Sequence, residues 1–419
     1  MTIKKSIVFL GYNSFPHGLA EVQKIILISK SLIITGNNVT VIARNGYHNL
    51  VDNPEMTTSG IYENIKYVYA SGSCFRNSNF FKRRLNEIKG KINEFLLLRK
   101  YKKNNNLDFA ILSTRNFYLV LHYSILSKIL GFKILLNYVE YYSALKKDFF
   151  DIKQRVNDKL FDRYAPVLAD AVLPISEFLI NHINKISSSI SYLKIPGLTD
   201  LKKYDGTETL QNETYFLYCG AAGYKEIILF IIDSFGLIVD NESYLYLVIN
   251  GSGNEIQEIK NYINNTKQKE KIEIFSNLTQ KELFTYYKNA LALLIPLRPT
   301  FQDIARFPHK TGEYLASGNP VIATNYGEIK YYFRDGKNIL LAESYDINLF
   351  AEKMQFVIDN PLEAKKIGFE GKNMAIKLFD YRYKAKEIDD FLNFKIKNKH
   401  HKFKYDCTKK KITIKKQNI

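Results

Sequence analysis

The chain has 419 residues, 46% of them apolar, and a formal net charge of +18. That length exceeds what one hydrophobic core usually organises, so it predicts two folded domains of roughly 200 residues each. The cysteines Cys74, Cys219 and Cys407 stand far apart without CxxC spacing. They indicate neither a disulfide framework nor a zinc site, and they fit a reducing compartment.

The sequence predicts neither a signal peptide nor a membrane-spanning helix. The apolar run near the N-terminus, residues 7–11, is too short for the apolar region of a signal peptide. No window approaches the roughly 18 uninterrupted apolar residues of a transmembrane helix. We therefore expect a cytoplasmic protein.

The first half of the sequence alternates strand and helix patterns. SIVFLG, from residue 6, is typical of a buried parallel strand; a glycine-bearing loop, a helix pattern ending at Gly36 and the strand pattern NNVTVIA follow it. These elements make one βαβ unit. The alternation continues with FAILS, a helix over residues 119–130, KILLNYV and DAVLPIS. The first half should therefore form one doubly wound domain.

Residues 193–206 combine proline and glycine with charged residues, which predicts a linker. A second series of elements begins after it. The predicted strands are TYFLYCG, YLYLVING, KIEIFS, LALLIPL and PVIATN, and the predicted helices cover residues 226–235, 255–263, 280–289, 311–317 and 362–394. The sequence thus predicts an α/β fold with two doubly wound, Rossmann-like domains facing a cleft.

The domain boundaries follow from the linker and from the charge. We place an N-terminal domain at residues 1–203, a C-terminal domain at 204–375, a helix packing back toward the N-terminal domain at 376–395, and a basic flexible tail at 396–419. Residues 395–419 carry a net charge of +9 and residues 82–103 a net charge of +7, which leaves only +2 for the rest of the chain. The positive charge therefore lies in two patches.

Ligands of doubly wound domains bind beyond the carboxyl ends of the strands, where glycine loops and helix N-termini accommodate anions. Gly18 opens the first helix, although a glycine there also serves ordinary turns. Gly220 begins a small-residue loop after TYFLYCG, and Lys225 opens the next helix as a point charge for phosphate. The alternative for this second loop is a solvated turn with a surface lysine.

The most specific segment is RFPHKTGEYLASGNPVIATNYGEIKYYFRDGKNILL, residues 306–341. Arg306, His309 and Lys310 stand at a predicted helix N-terminus, with Glu313 in the first turn. Basic residues there oppose the helix macrodipole and favour a compensating anion such as a diphosphate. The alternative is a solvated helix start in which Glu313 only complements the dipole.

This segment resembles the donor site of retaining GT-B glycosyltransferases of family 4, many of which build capsule or O-antigen chains. Similar motifs cover most of the chain and include GYNSFPHGLAEVQK, LADAVLPISEF, KIPGLTD, INGSGNE and FDYRYKAKEIDDFL. The resemblance implies a retaining hexosyltransferase that needs no cofactor beyond its UDP- or GDP-linked sugar donor. No DxD motif stands at a strand end, so we expect no metal. It also implies a lipid-linked or soluble glycan acceptor on the N-terminal side, in surface polysaccharide synthesis.

The resemblance assigns roles to individual residues. Glu313 matches the glutamate that holds the donor ribose, and Lys225 matches the lysine that meets the donor diphosphate. Residues His309, Lys310 and Thr311 match a loop whose backbone amides face that diphosphate. Gly18 matches the glycine loop near acceptor and phosphate, and Asp200 matches an aspartate that is usually structural.

Two positions depart from the family pattern. Ala305 stands where the family has a glutamate beside the donor sugar, and Ala221 stands where it has an arginine. Arg306 is the candidate to replace the lost positive charge. These departures keep two alternatives open, a GT-B sugar-nucleotide epimerase and a non-catalytic, glycosyltransferase-like binding subunit.

Two further residues carry expectations of their own. Glu140 follows the strand KILLNYV and is a candidate catalytic group on the acceptor side. His122 lies in the apolar segment LVLHYSIL, which predicts a histidine of the core rather than a catalyst. A nicotinamide enzyme is disfavoured because no GxGxxG follows the first strand.

The basic patches predict a peripheral protein on the inner face of a membrane. Within residues 81–103, apolar side chains recur at helical spacing among lysines and arginines, as in an interfacial helix. These apolar residues are Phe81, Leu85, Ile88, Ile92, Phe95 and Leu98. The alternative is an ordinary core-packed helix with a solvated basic face. Residues 396–419 add charge that favours an anionic surface, and we expect no nucleic-acid partner because no recognised motif accompanies the lysines.

Overall fold

The computed structural model describes residues 4–18, 20–49, 55–145, 151–204, 214–239, 242–397, 401–406 and 411–416. They divide into two compact units. Unit 1 comprises Met1–Leu198 with Tyr381–Ile419, and unit 2 comprises Thr199–Asp380. The divisions lie five residues from the predicted boundaries at 203/204 and 375/376.

The strands of both units are short and mostly buried. They are β1 (Ser6–Leu10), β2 (Asn38–Ala43), β3 (Ser59–Tyr62), β4 (Ile65–Tyr69), β5 (Phe109–Leu112), β6 (Lys133–Tyr138), β7 (Ala171–Pro174), β8 (Tyr192–Leu193), β9 (Tyr215–Ala221), β10 (Tyr244–Asn250), β11 (Ile272–Phe275), β12 (Ala292–Ile295), β13 (Val321–Thr324), β14 (Leu340–Ala342), β15 (His401–Asp406) and β16 (Lys411–Lys416).

Helices separate most of these strands. They are α1 (Ala20–Ile34), α2 (Phe80–Lys103), α3 (Phe117–Leu130), α4 (Ile152–Leu168), α5 (Glu177–Ile186), α6 (Lys225–Phe235), α7 (Gly253–Asn264), α8 (Gln280–Asn289), α9 (Phe301–Ala305), α10 (Lys310–Ser317), α11 (Ile329–Tyr332), α12 (Ile347–Asp359), α13 (Pro361–Phe379) and α14 (Tyr381–Lys397). Many begin at a side-chain cap; Ser252 and Thr279, for example, form capping boxes with Glu255 and Glu282.

The sheet of unit 1 has the strand order β16-β15-β8-β7-β6-β5-β1-β2-β4-β3. Its neighbours pair in parallel, except for the antiparallel pairs β3–β4 and β15–β16. The sheet of unit 2 has the order β11-β10-β9-β12-β13-β14 and is parallel throughout. The predicted fold class, α/β with two Rossmann-like sheets, is confirmed.

Helix α14 belongs to unit 1, and a buried ion pair fastens it there. The Lys5 ammonium donates to the Asp389 carboxylate at 2.8 Å, and both side chains are at most 4% exposed. Asn37 donates to the same carboxylate oxygen at 2.7 Å. Because an unpaired buried charge is costly, each partner of this pair depends on the other.

Several local features differ from the sequence predictions. Residues 401–406 and 411–416, within the expected flexible tail, form strands β15 and β16. The first segment alternates lysine with aromatic residues at the period of a strand, and the second contains the β-branched run at residues 412–414. His122 is exposed on α3, since Val120, Tyr123 and Ser124 face the protein instead. The predictions also omitted the β3–β4 hairpin and helices α4, α5 and α12.

Candidate functional site

The order of the strands places the candidate site of unit 2. The chain runs outward from β9 through β10 to β11, then returns to the other side of β9 with β12, β13 and β14. The switch point therefore lies between β9 and β12, where open parallel sheets characteristically bind ligands beyond the carboxyl ends of their strands. Cys219, Gly220 and Arg298 lie at these ends.

Helix α10 is held with its N-terminus at the switch point. The Cys219 amide donates to the Tyr314 hydroxyl at 2.8 Å, which ties the helix to β9. Gly312 lets the helix approach the preceding segment closely, because a Cβ there would lie 2.2 Å from Thr199 Oγ1. The helix ends at Gly318, whose φ of 83° favours glycine.

Lys310 opens α10 and is turned inward. Its ammonium donates to the Cys219 carbonyl and lies 4.3 Å from the centre of the Tyr218 ring. Burial lowers the pKa of Lys310 to about 8, and the nearby Arg306 charge acts in the same direction. The site therefore holds a cation where solvent stabilises it poorly.

Glu313 lies one turn further along α10. Burial raises the pKa of Glu313 to about 7, although the charges of Lys310 and Lys203 oppose that rise. Among the described residues, none donates a hydrogen bond to this carboxylate. The Glu313 carboxylate could therefore accept a hydrogen bond from a ligand hydroxyl without displacing a protein donor.

Arg306 is the second cation at this end of the sheet. Its Nη1 donates to the Tyr224 hydroxyl at 2.7 Å and its Nη2 to Asp303 at 2.6 Å. Arg306 and Lys310 are close enough for the charge of one to lower the pKa of the other. Two positive charges beside a helix N-terminus favour a further anion in addition to Asp303, so the arrangement suits a phosphate-bearing ligand.

The other predicted donor-side residues lie in the same unit. Lys225 opens α6 and pairs with Glu258 at 2.7 Å on the surface. Gly220 is part of β9, so the predicted small-residue loop is reduced to the turn Ala222–Tyr224. The Thr311 amide donates to the Pro308 carbonyl at 3.0 Å, so this amide, which we expected to face a diphosphate, is already used.

The remaining predicted residues lie elsewhere. Asp200 is in unit 2, just before the 3₁₀ turn Leu201–Tyr204, while Gly18 and Glu140 lie in unit 1. Gly18 is exposed before α1, and a Cβ there would lie 2.6 Å from Val22. Glu140 follows β6 and is half-buried.

Sequence reasoning missed Asp303, Tyr224 and Arg298. Asp303 is fully buried and binds both Arg298 and Arg306. The available signal was the acidic residue itself, the only one in the segment LRPTFQDIARF, flanked on either side by arginine. Helical spacing of Asp303 and Arg306 allowed the pairing, but nothing in the sequence indicated Tyr224.

Residues 203–374, which lie within unit 2, match the family model described as Glycosyl transferases group 1. A curated relative, an uncharacterized glycosyltransferase of Methanocaldococcus jannaschii, is 25% identical over 231 residues. That alignment covers 54% of this chain and 60% of the relative, so it spans less than two thirds of the relative's length. Residues 203–374 of unit 2 are therefore similar to the Glycosyl transferases group 1 family.

Solved structures extend the similarity in fold to nearly the whole chain. Sucrose-phosphate synthase from Thermosynechococcus elongatus superposes with a TM-score of 0.73 at 14% identity and covers 94% of this chain and 100% of its own. A glycosyltransferase from Rickettsia africae gives 0.68 at 17% identity, covering 94% and 99%. Anabaena HepE in complex with UDP gives 0.64 at 13% identity, covering 93% and 99%. The chain has the GT-B fold.

Proposed function

We propose that this protein is a retaining glycosyltransferase that takes a sugar from a UDP- or GDP-linked donor. The observation that carries the proposal is the pair of cations, Arg306 and Lys310, at the N-terminus of α10 and at the switch point of unit 2. In this proposal the donor diphosphate is a further anion that binds beside these two cations. Glu313, in the first turn of the same helix, then accepts from the donor ribose.

The proposed chemistry needs stabilisation of a leaving group rather than a metal. Charge develops on the departing nucleoside diphosphate as its bond to the anomeric carbon breaks, and fixed cations stabilise that charge. We assign Lys225 to the same task, after it leaves its surface partner Glu258.

The acceptor in this proposal is a lipid-linked glycan of a surface polysaccharide such as a capsule or O-antigen chain. Glu140 in unit 1 is the proposed catalytic group on the acceptor side. An assay of UDP- and GDP-sugars with and without a polyprenyl-diphosphate glycan tests it. Transfer to the glycan supports the proposal. Isomerisation of the donor without acceptor identifies an epimerase, and donor binding without turnover identifies a binding subunit; either result overturns it.

Attachment to an anionic membrane surface is the second part of the proposal, and helix α2 supports it. Only Gly90, Glu94 and Leu98 of this helix are buried. At about 100° per residue, the exposed Phe81, Leu85, Ile88 and Ile92 lie on the opposite side. The core-packed alternative is therefore wrong for these four residues, whereas the predicted stripe wrongly included Leu98.

Glu94 shows why α2 keeps its apolar stripe outside. The Arg44 guanidinium donates to the Glu94 carboxylate at 2.6 Å, and the Tyr123 hydroxyl donates to it at 2.7 Å. This polar anchor fixes the rotation of the helix. Phe81, 77% exposed, consequently faces away from the protein among lysines and arginines, which suits an interface of acyl chains and anionic headgroups.

Helix α3 contacts α2 and adds a second exposed apolar stripe. Its members are Tyr118, Leu121, Ile125 and Ile129. Exposed apolar side chains on two contacting helices gain binding energy from apolar insertion as well as from charge. No helix in the described parts of the chain is long and apolar enough to cross a membrane.

Co-sedimentation with vesicles of phosphatidylcholine and phosphatidylglycerol tests the membrane proposal. We expect salt-sensitive binding that weakens on deletion of residues 396–419 and weakens further with Phe81→Asp and Leu85→Asp combined. The matched control, Leu362→Asp with Phe369→Asp, removes two exposed apolar side chains of α13 in unit 2 and should bind as wild type does. Equal binding of the α2 variant and the control overturns the proposal.

A further inference from the structure

Asp303 is the buried centre of a network between β12 and α10. It is fully buried on α9, yet it accepts from the Arg298 amide at 3.0 Å, from Arg298 Nε at 2.8 Å and from Arg306 Nη2 at 2.6 Å. Burial alone would raise the pKa of Asp303, but the hydrogen bonds from Arg298 and the charge of Arg306 bring it below its usual value. The carboxylate therefore stays ionised and can orient both guanidinium groups.

The two arginines have different surroundings. Arg298 donates to Asp303 and also to Glu226, at 2.7 Å, so carboxylates flank it on two sides. Arg306 shares Asp303 with Arg298 and donates to the neutral Tyr224 hydroxyl.

Tyr224 completes the orientation of Arg306. The Tyr224 hydroxyl accepts a hydrogen bond from Arg306 Nη1, and the Tyr224 ring lies 4.8 Å from the guanidinium carbon. Tyr224 ends the turn that follows β9, whereas Asp303 follows β12. Arg306 is thus held from both sides of the switch point, while 19% of its side chain stays exposed. A group held in this way meets a ligand with little further loss of side-chain entropy.

We propose that Arg306 binds the donor diphosphate directly, beside Lys310, and that Asp303 and Tyr224 are positioning residues that aim its guanidinium. This inference rests on the proposed glycosyltransferase function. Arg306 then provides the charge that Ala221 does not. The arrangement also explains why a short helix with a buried acid interrupts the chain between β12 and α10.

The reaction balances with these groups. The bond between the anomeric carbon and the β-phosphate oxygen breaks, and its electron pair leaves with the diphosphate. A bond forms between the anomeric carbon and the acceptor hydroxyl oxygen, whose proton is released to the diphosphate or to solvent. Arg306 and Lys310 stabilise the negative charge that the diphosphate gains.

Calorimetric binding of nucleotides separates a direct contact from a structural role. For whichever of UDP and GDP binds wild type, Arg306→Ala should lower the affinity by ~10-fold or more, as expected for a lost hydrogen bond to a charged group. The affinity for the matching monophosphate should change less than about threefold. Tyr224→Phe should weaken diphosphate binding in the same selective way but by a smaller factor, since the ring and the charge remain.

Controls distinguish the possible failures. Arg334→Ala removes an exposed arginine of the same unit and should bind both nucleotides as wild type does. Asp303→Asn should mimic Arg306→Ala; if it fails to fold, Tyr224→Phe still tests the positioning. Equal loss of monophosphate and diphosphate binding, or no loss, overturns this inference, whereas wild type that binds no nucleoside diphosphate overturns the proposed function itself.

Discussion

Replacing Glu313 with glutamine should stabilise the protein while it weakens donor binding. The pKa of Glu313 rises from 4.5 to about 7 because the side chain is buried. Folding therefore disfavours the ionised carboxylate, and the resulting destabilisation appears as pH rises above about 4.5 and is complete above about 7. At about 1.4 kcal/mol for each pKa unit, the ceiling of this destabilisation at pH 8 is about 3.5 kcal/mol.

The net gain should be smaller than that ceiling. Lys310 loses a favourable neighbour in Glu313→Gln, and part of the glutamate side chain still meets solvent. We expect about 1–2 kcal/mol at pH 8, or a few degrees in Tm, and little difference near pH 4.5.

Thermal unfolding of both proteins across this pH range, together with donor KM, provides the assay. The KM for the donor should rise by ~10-fold with the loss of a charge-assisted hydrogen bond to ribose. A variant that is less stable than wild type at pH 8 would refute the electrostatic reasoning. Unchanged donor kinetics would refute the ribose contact.

Three other substitutions test the remaining parts of the structure. Lys225→Ala should lower turnover by at least ~10²-fold if this charge stabilises the leaving diphosphate, whereas Glu258→Gln, which changes its surface partner, should stay within about threefold of wild type. Equal turnover of wild type and both variants would remove Lys225 from the mechanism. Asp389→Ala should cost about 3–5 kcal/mol in urea unfolding because it strands buried Lys5, and Glu87→Gln, in an exposed pair, less than about 1 kcal/mol. Gly312→Ala should destabilise by about 1–3 kcal/mol through its clash with Thr199, whereas Gly253→Ala, with open space at its Cβ, should be neutral or stabilising; a neutral Gly312→Ala contradicts the close approach of α10.

The fold was largely predictable because its signals are local. Apolar runs such as LALLIPL become buried parallel strands, and the spacing of apolar residues gave α6, α8 and α10 within a few residues. The β3–β4 hairpin was missed because its turn uses Glu63 and Asn64 at positive φ rather than a glycine. Helix α4 was missed because its sequence, IKQRVNDKLFDRYAPVL, is polar and contains a proline near its end.

The candidate site was predictable only in part, since its contacts join distant residues. The block around Glu313 and Lys310 could be located from its own sequence. The pairing of Arg306 with Tyr224 joins positions 82 residues apart, and no local pattern reports it. The ion pair between Lys225 and Glu258 was equally unpredictable, because the sequence around Lys225 does not indicate which acidic residue lies beside it.

Matched and unmatched buried charges distinguish the structural groups from the candidate functional groups. In unit 1, Lys5 pairs with Asp389, Arg44 with Glu94 and Arg115 with Asp158, each at 2.8 Å or less. In such a pair each charge is compensated by a protein group, so the pair has a structural role that requires no ligand.

The charges around the start of α10 follow a different rule. Lys310 and Glu313 lie one turn apart and within reach of each other's charge, yet neither pKa returns to its ordinary value, and Arg306 repels the lysine. Charges held this way reduce the stability of the unliganded protein, and a bound diphosphate and ribose would relieve both costs. A nucleotide, the ligand of the proposed function, supplies an anion and a hydroxyl donor together, so its binding would offset both costs.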